Sequence, residues 1–198
     1  WSQDLLCITK CEHMSLPGQS LGASAGLATS FPPLCGTLEA KGISGFRIYG
    51  DGKRSTMLYQ TCSNNPIIYF DGLSYGKIEG IGFKQSAGTN TEALVEIDYT
   101  GTLSPASLKP QQLTIADSAF FADGIGSIGL RIAKTGNTAQ GDTILLSNLL
   151  FAGFTDACLM LGTPTQSAQN ALGIEILNGD MQQCTKDGIA SYGGQFFV

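Results

Sequence analysis

Glu96 and Asp98 stand two residues apart in the segment Val95-Glu96-Ile97-Asp98. In an extended strand that spacing sends both carboxylates to one face, about 6.7 Å apart. Paired carboxyl groups at such range suit acid–base work at a glycosidic bond, one protonated and one ionised. Arg131 joins them if the segment Leu130-Arg131-Ile132 forms the neighbouring rung, about 4.8 Å from Glu96. A guanidinium there favours the ionised form of both acids and opposes a general-acid role. The competing expectation is a solvated cross-strand ion pair between Glu96 and Arg131, worth under about 1 kcal/mol. Either way, whether these three groups meet depends on which segments become neighbouring strands.

A repeat answers that question. The segments Leu113 to Phe120, Ile144 to Phe151 and Ile174 to Met181 superimpose, with Asp117, Asn148 and Asn178 in one position and Phe120, Phe151 and Met181 three residues later. Two earlier segments place Gly80 and Gly50 in the same position, so the turn residue recurs after 30, 37, 31 and 30 residues. Gly, Asn and Asp tolerate the left-handed backbone of a sharp strand-to-strand bend. A second alternation follows each of the last four turns: Val95 to Ile97, Leu130 to Ile132, Leu159 to Leu161 and Ile189 to Ser191.

The pattern predicts an all-β solenoid of about thirty-residue coils, a parallel β-helix in which each coil holds a strand, a tight turn, a second strand, a loop and a third strand. Ile115, Phe120, Leu130 and Ile132 are expected to stack inside on Leu146, Phe151, Leu159 and Leu161. Asn148 and Asn178 are expected to form a side-chain ladder along the turn. Leucine-rich repeats have a shorter period, and helical repeats lack the period of two. Residues 39–198 make up the coils. Residues 1–38 lack the register, carry Ser, Gly and Pro clusters, and read as a cap or a poorly ordered segment. The start at Trp1 without an initiator Met and the stop at Val198 in a strand-like segment suggest a chain cut at both ends.

Composition narrows the partners. A net charge of -5 and a pI near 4.7 disfavour nucleic acid and anionic membrane surfaces, which need clustered cations. No apolar run approaches the roughly 20 residues of a membrane helix, so no membrane insertion is expected. Of the six cysteines, Cys158 and Cys184 read as small buried fillers. Cys7, Cys11, His13 and Cys35 are of zinc-ligating types, but their spacing matches no tight ligand pair.

From Gly50 to Leu58, Asn65 to Phe70 and Gly76 to Phe83 the chain resembles the first coils of the pectate-lyase-like superfamily, and Asn170, Cys184 and Gly188-Ile189 resemble later ones. The resemblance spans about Gly42 to Val198 and implies a right-handed parallel β-helix. It implies a carbohydrate-active protein, a polysaccharide lyase or glycoside hydrolase acting on an extended acidic glycan. The alternative within the same superfamily is a non-catalytic scaffold or adhesion module, such as a phage tailspike. For a lyase, Glu96, Asp98 and Arg131 become the catalytic candidates, with acidic groups holding Ca²⁺ against a uronate and a basic residue removing the proton α to its carboxylate. Calcium takes six to eight oxygens, so Glu96 and Asp98 would need Asp123 or Asp142 from flanking loops, or oxygens of the substrate. Tyr99, Asp123 and Lys134 are the candidate polysaccharide contacts, on or beside loops of variable length. The resemblance also implies an extracellular, cell-surface or virion-surface location, and a homo-oligomer, trimeric if tailspike-like. One departure counts against the polygalacturonase branch: Gly126-Ser127 and Arg131 to Lys134 echo its motifs, but the chain has no Asp-Asp pair and its single histidine is His13.

Overall fold

The computed structural model describes residues 5–7, 35–98, 100, 111–135, 142–165 and 173–198, the side chains of 5–7 and of 142 excepted. Among them there are fifteen strands and no helix. The first seven are β1 (Leu5–Cys7), β2 (Leu38–Ser44), β3 (Arg47–Tyr49), β4 (Met57–Gln60), β5 (Ile68–Glu79), β6 (Gly82–Gln85) and β7 (Asn90–Asp98). Next come β8 (Gln111–Ala116), β9 (Ala119–Ile132), β10 (Asp142–Ser147) and β11 (Leu150–Leu161). The last are β12 (Ile174–Leu177), β13 (Asp180–Gln182), β14 (Asp187–Ser191) and β15 (Phe196–Phe197).

All the pairings are parallel and join one repeat to the next, in three columns. The first column runs β1, β3, the end of β5, β8, β10, β12 and β15. The second runs β4, β6, the start of β9, the start of β11 and β13. The third runs β2, the start of β5, β7, the end of β9, the end of β11 and β14. The chain is thus all-β with one large parallel sheet.

Like sits over like in the interior. Leu113 pairs with Ile144, Ile115 with Leu146, Phe120 with Phe151, Leu130 with Leu159 and Ile132 with Leu161, and all of these side chains are buried. The rings of Phe83, Phe120 and Phe151 form a stack with centroids 5.1 and 4.6 Å apart. Each ring is covered by the repeat on either side, so the apolar stabilisation of roughly 1.5–3 kcal/mol per side chain exists only when repeats are piled up.

The turn column differs from expectation in two details. Gly80, Asp117, Asn148 and Asn178 all have a left-handed backbone, at φ 69, 48, 52 and 54°. Gly50 does not; a Cβ there would lie 2.5 Å from the Gly80 carbonyl oxygen and 2.7 Å from the Thr56 Cβ, so close approach and not a left-handed φ explains it. The expected rung between Asn148 and Asn178 also moves by one repeat, because Asn148 donates its amide to the Asp117 carboxylate.

The loop expected between the second and third strand of a coil separates β4 from β5, β6 from β7 and β13 from β14, but in two coils it is a bend instead. β9 and β11 each run through both columns, with register shifts around Ala152 to Ala157. The left-handed backbone at Asp123 (φ 51°), Gly124 (φ 81°) and Gly153 (φ 80°) turns the strand direction there. The same happens in β5, which leaves the third column and enters the first through Gly72 and Tyr75.

Two disulfides correct the reading of the cysteines. Cys158 is buried but bonded to Cys184, and Cys35 is bonded to Cys62, which removes its thiolate from any zinc set. The pairs span 26 and 27 residues, close to one repeat, so each ties a segment to its stacked neighbour. Cys7, Cys11 and His13 lie outside the side chains described. So does most of residues 1–38, although β1 pairs with β3 in parallel register and Leu38 already belongs to β2.

Candidate functional site

The outward row of the third column reads Tyr69, Glu96, Arg131, Met160 and Ala190 from repeat to repeat. The expected adjacency of Glu96 and Arg131 is therefore present. The expected solvation is not, since Glu96 is 1% and Arg131 6% exposed. Beside them Ala93, Ile128, Ala157, Met160 and Ala190 form a second apolar cluster, separate from the main core. Burial raises the stakes of every charge here, because an ion taken out of water destabilises by several kcal/mol unless partners replace its hydration.

The replacement comes from a four-residue set. Arg131 Nη1 lies 3.5 Å from Glu96 Oε1 and 3.3 Å from Glu92 Oε2. Lys134 Nζ lies 2.7 Å from Glu92 Oε2 and 3.3 Å from Glu96 Oε2. Both carboxylates thus face both cations, and the Ala93 amide donates to Glu96 Oε1 at 3.4 Å. Burial, and then a hydrogen bond with Glu92, lift the Glu96 carboxyl to about 7 in spite of Arg131 and Lys134. The anticipated dominance of the guanidinium over the acid is overturned by desolvation. Burial also works against ionisation of Glu92, but the hydrogen bonds from Glu96 and Lys134 outweigh it and hold that carboxyl below its usual range. Lys134 is likewise partly desolvated, yet Glu92 and Glu96 keep its ammonium above the usual range.

Glu92 is the member that sequence reasoning missed. Counting back from Glu96 by twos reaches it, although Leu94 between them turns into the core and Ala93 turns out. The register shift between Asn90 and Ala93 makes that irregularity.

Asp98 is on the same face but has other work. The Thr135 amide donates to its Oδ1 at 3.0 Å, the Thr135 hydroxyl donates to Oδ2, and the Tyr69 hydroxyl donates to Oδ2 at 3.3 Å. Asp71, its register partner one repeat earlier, binds Thr100 in the same way, at 2.9 Å from the amide and 2.7 Å from the hydroxyl. Each Asp pins the start of the segment leaving the next repeat. Burial raises the Tyr69 phenol, with Asp98 and Asp71 adding to it. Asp123 pairs with Lys84 at 2.7 Å in the second column and does not line the site. Asp142 opens β10 in the first column, and its side chain, like Tyr99, lies outside the described residues.

Of the two acids expected to hold calcium on this face, Glu96 has its oxygens toward two cations and Asp98 accepts from Thr135 and Tyr69. Among the described residues no group of three or more His, Cys, Asp or Glu is arranged to hold a metal ion.

Arg131, Lys134 and Thr135 border an open depression of about 490 Å³, which Thr91, Ile128, Asp156, Met160 and Thr163 also line. Glu92 and Glu96 do not line it and act on it through the two cations. Arg131 Nε is buried without a hydrogen-bond partner. A buried donor in that state destabilises by about 1–3 kcal/mol, which an acceptor brought to it would recover.

Comparison of the chain with family models, with curated proteins and with solved structures returns no match.

Proposed function

We propose that the chain is a right-handed parallel β-helix of the pectate-lyase-like type whose third column holds an extended acidic glycan, at a cell or virion surface or outside the cell. The observation that carries this reading is the placement of Arg131 and Lys134 at the wall of a depression, with Glu92 and Glu96 behind them. A uronate carboxylate entering the depression meets two donors that bind it by charge-assisted hydrogen bonds. Ile128 and Met160 offer an apolar wall to the ring, and Thr91 offers a hydroxyl to its polar edge. Successive rungs, about 4.8 Å apart, give the face the lengthwise repeat that a polymer follows. The two disulfides suit an oxidising compartment.

Binding is better supported than turnover. The ammonium of Lys134 is held protonated by its carboxylates, and an arginine guanidinium does not give up its proton in the physiological range, so neither is a ready base. Cleavage by a lyase or hydrolase is the second reading, favoured by the Glu96 carboxyl at about 7, where proton transfer at neutral pH is efficient.

The test is calorimetric titration of the chain with oligogalacturonates, followed by assays for unsaturated products and reducing ends with and without added calcium. Lys134→Met, at a partly exposed position, is expected to weaken binding by about ten-fold, the loss of one charge-assisted hydrogen bond. Binding without products assigns a non-catalytic module, and products assign an enzyme. Absence of both binding and products refutes the proposal.

A further inference from the structure

We propose that the depression takes up its anion together with a proton, which is held between the Glu92 and Glu96 carboxyls. The inference rests on the acidic-glycan reading of the same site and adds its regulation. With both carboxylates ionised, Arg131 and Lys134 are already compensated, since each contacts both acids. A ligand carboxylate arriving then adds a negative charge next to two others, in surroundings that screen them poorly. With one proton shared between the acids, the four residues carry a single positive charge, and one ligand carboxylate balances it.

The groups around the pair leave the proton there. On the strand itself Glu92 is the hydrogen-bond partner of Glu96. From β9 and the residues after it come Arg131 and Lys134. From β5 comes Tyr69, whose phenol is held neutral, with Asp71 and Asp98 beside it committed to Thr100 and Thr135. From β11 comes the uncharged Met160, and Asp156 on the same depression is paired with Lys186 at 3.0 Å. Burial sets the proton affinity of Glu96 close to neutral, so the proton is exchanged with solvent under ordinary conditions.

The experiment uses the chain as it stands, with a galacturonic acid oligomer as probe, titrated at pH 7 in two buffers of different ionisation enthalpy. The probe's own carboxylates are ionised throughout and take no part in the exchange. If binding raises the affinity of the pair for its proton by about one pH unit, about 0.4 proton is taken up per site at pH 7, and affinity falls about five-fold between pH 6 and pH 8. Glu96→Gln, which carries no titrating acid, is expected to abolish the buffer dependence and flatten the pH profile. Binding whose heat is the same in both buffers overturns the coupling while leaving the acidic-glycan reading intact. Absence of binding at every pH overturns both. The buffer dependence of the unaltered chain decides the matter even if Glu96→Gln fails to fold.

Discussion

Replacing Phe120 tests the stacked interior directly. Its ring is fully buried, with the Phe83 centroid 5.1 Å away on one side and the Phe151 centroid 4.6 Å away on the other. Truncation of a buried Phe to Ala destabilises by about 3–5 kcal/mol through lost transfer energy and the cavity left behind. This ring also loses two aromatic partners, each contributing about 0.5–1.5 kcal/mol beyond area. Phe120→Ala therefore belongs at the upper end, about 4–5 kcal/mol, a large part of the 5–15 kcal/mol that holds a typical domain together. Urea unfolding followed by circular dichroism measures it. A double-mutant cycle with Phe120→Leu and Phe151→Leu isolates the pair, with an expected coupling of about 0.5–1.5 kcal/mol. Because each repeat touches only its neighbours, hydrogen exchange in Phe120→Ala is expected to rise first in β6, β9 and β11. A loss under about 1 kcal/mol, or a cycle that closes to zero, refutes the idea that these rings hold consecutive repeats together.

Two further outcomes follow from the geometry. Gly50→Ala places a methyl 2.5 Å from the Gly80 carbonyl oxygen and is expected to destabilise by roughly 1–3 kcal/mol, more than Gly124→Ala, where nothing lies within 4 Å and only the left-handed backbone resists; urea midpoints in the reverse order discard the close-approach explanation. Glu96 binds its proton more tightly folded than unfolded, so its contribution is fully present below pH 4.5 and is lost as pH rises through about 7, on the order of 3 kcal/mol. Glu92 has the opposite sign: its carboxyl is depressed, so its contribution is present at neutral pH and is lost on acidification. Glu96→Gln is accordingly expected to flatten the fall in stability between pH 5 and pH 8, and equal slopes for parent and variant would remove the buried proton from the description.

The parts of this protein legible in its sequence are those set by period. The recurrence of Asp117, Asn148 and Asn178 with Phe120 and Phe151 names the turn and the stack, because a two-residue alternation and a thirty-residue repeat leave one way to bury like on like. The same register brings Glu96 beside Arg131. Period does not say how deep a face lies, and so the burial of Glu96 and Arg131, which makes the acid near-neutral, belongs to the tertiary structure alone. Glu92 joins the set because the strand is irregular around Ala93 and Leu94, and Asp98 leaves it because Thr135 returns from the next repeat to claim its oxygens. Cys158 and Cys184 read singly as small apolar fillers and Cys35 as a candidate zinc ligand; that Cys158 bonds Cys184 and Cys35 bonds Cys62 follows from the stacking of one repeat on the next, which no cysteine's neighbours in sequence reveal. Sequence spacing ranks positions along one strand; which charges are desolvated, and which partners reach them, depends on side chains arriving from other repeats.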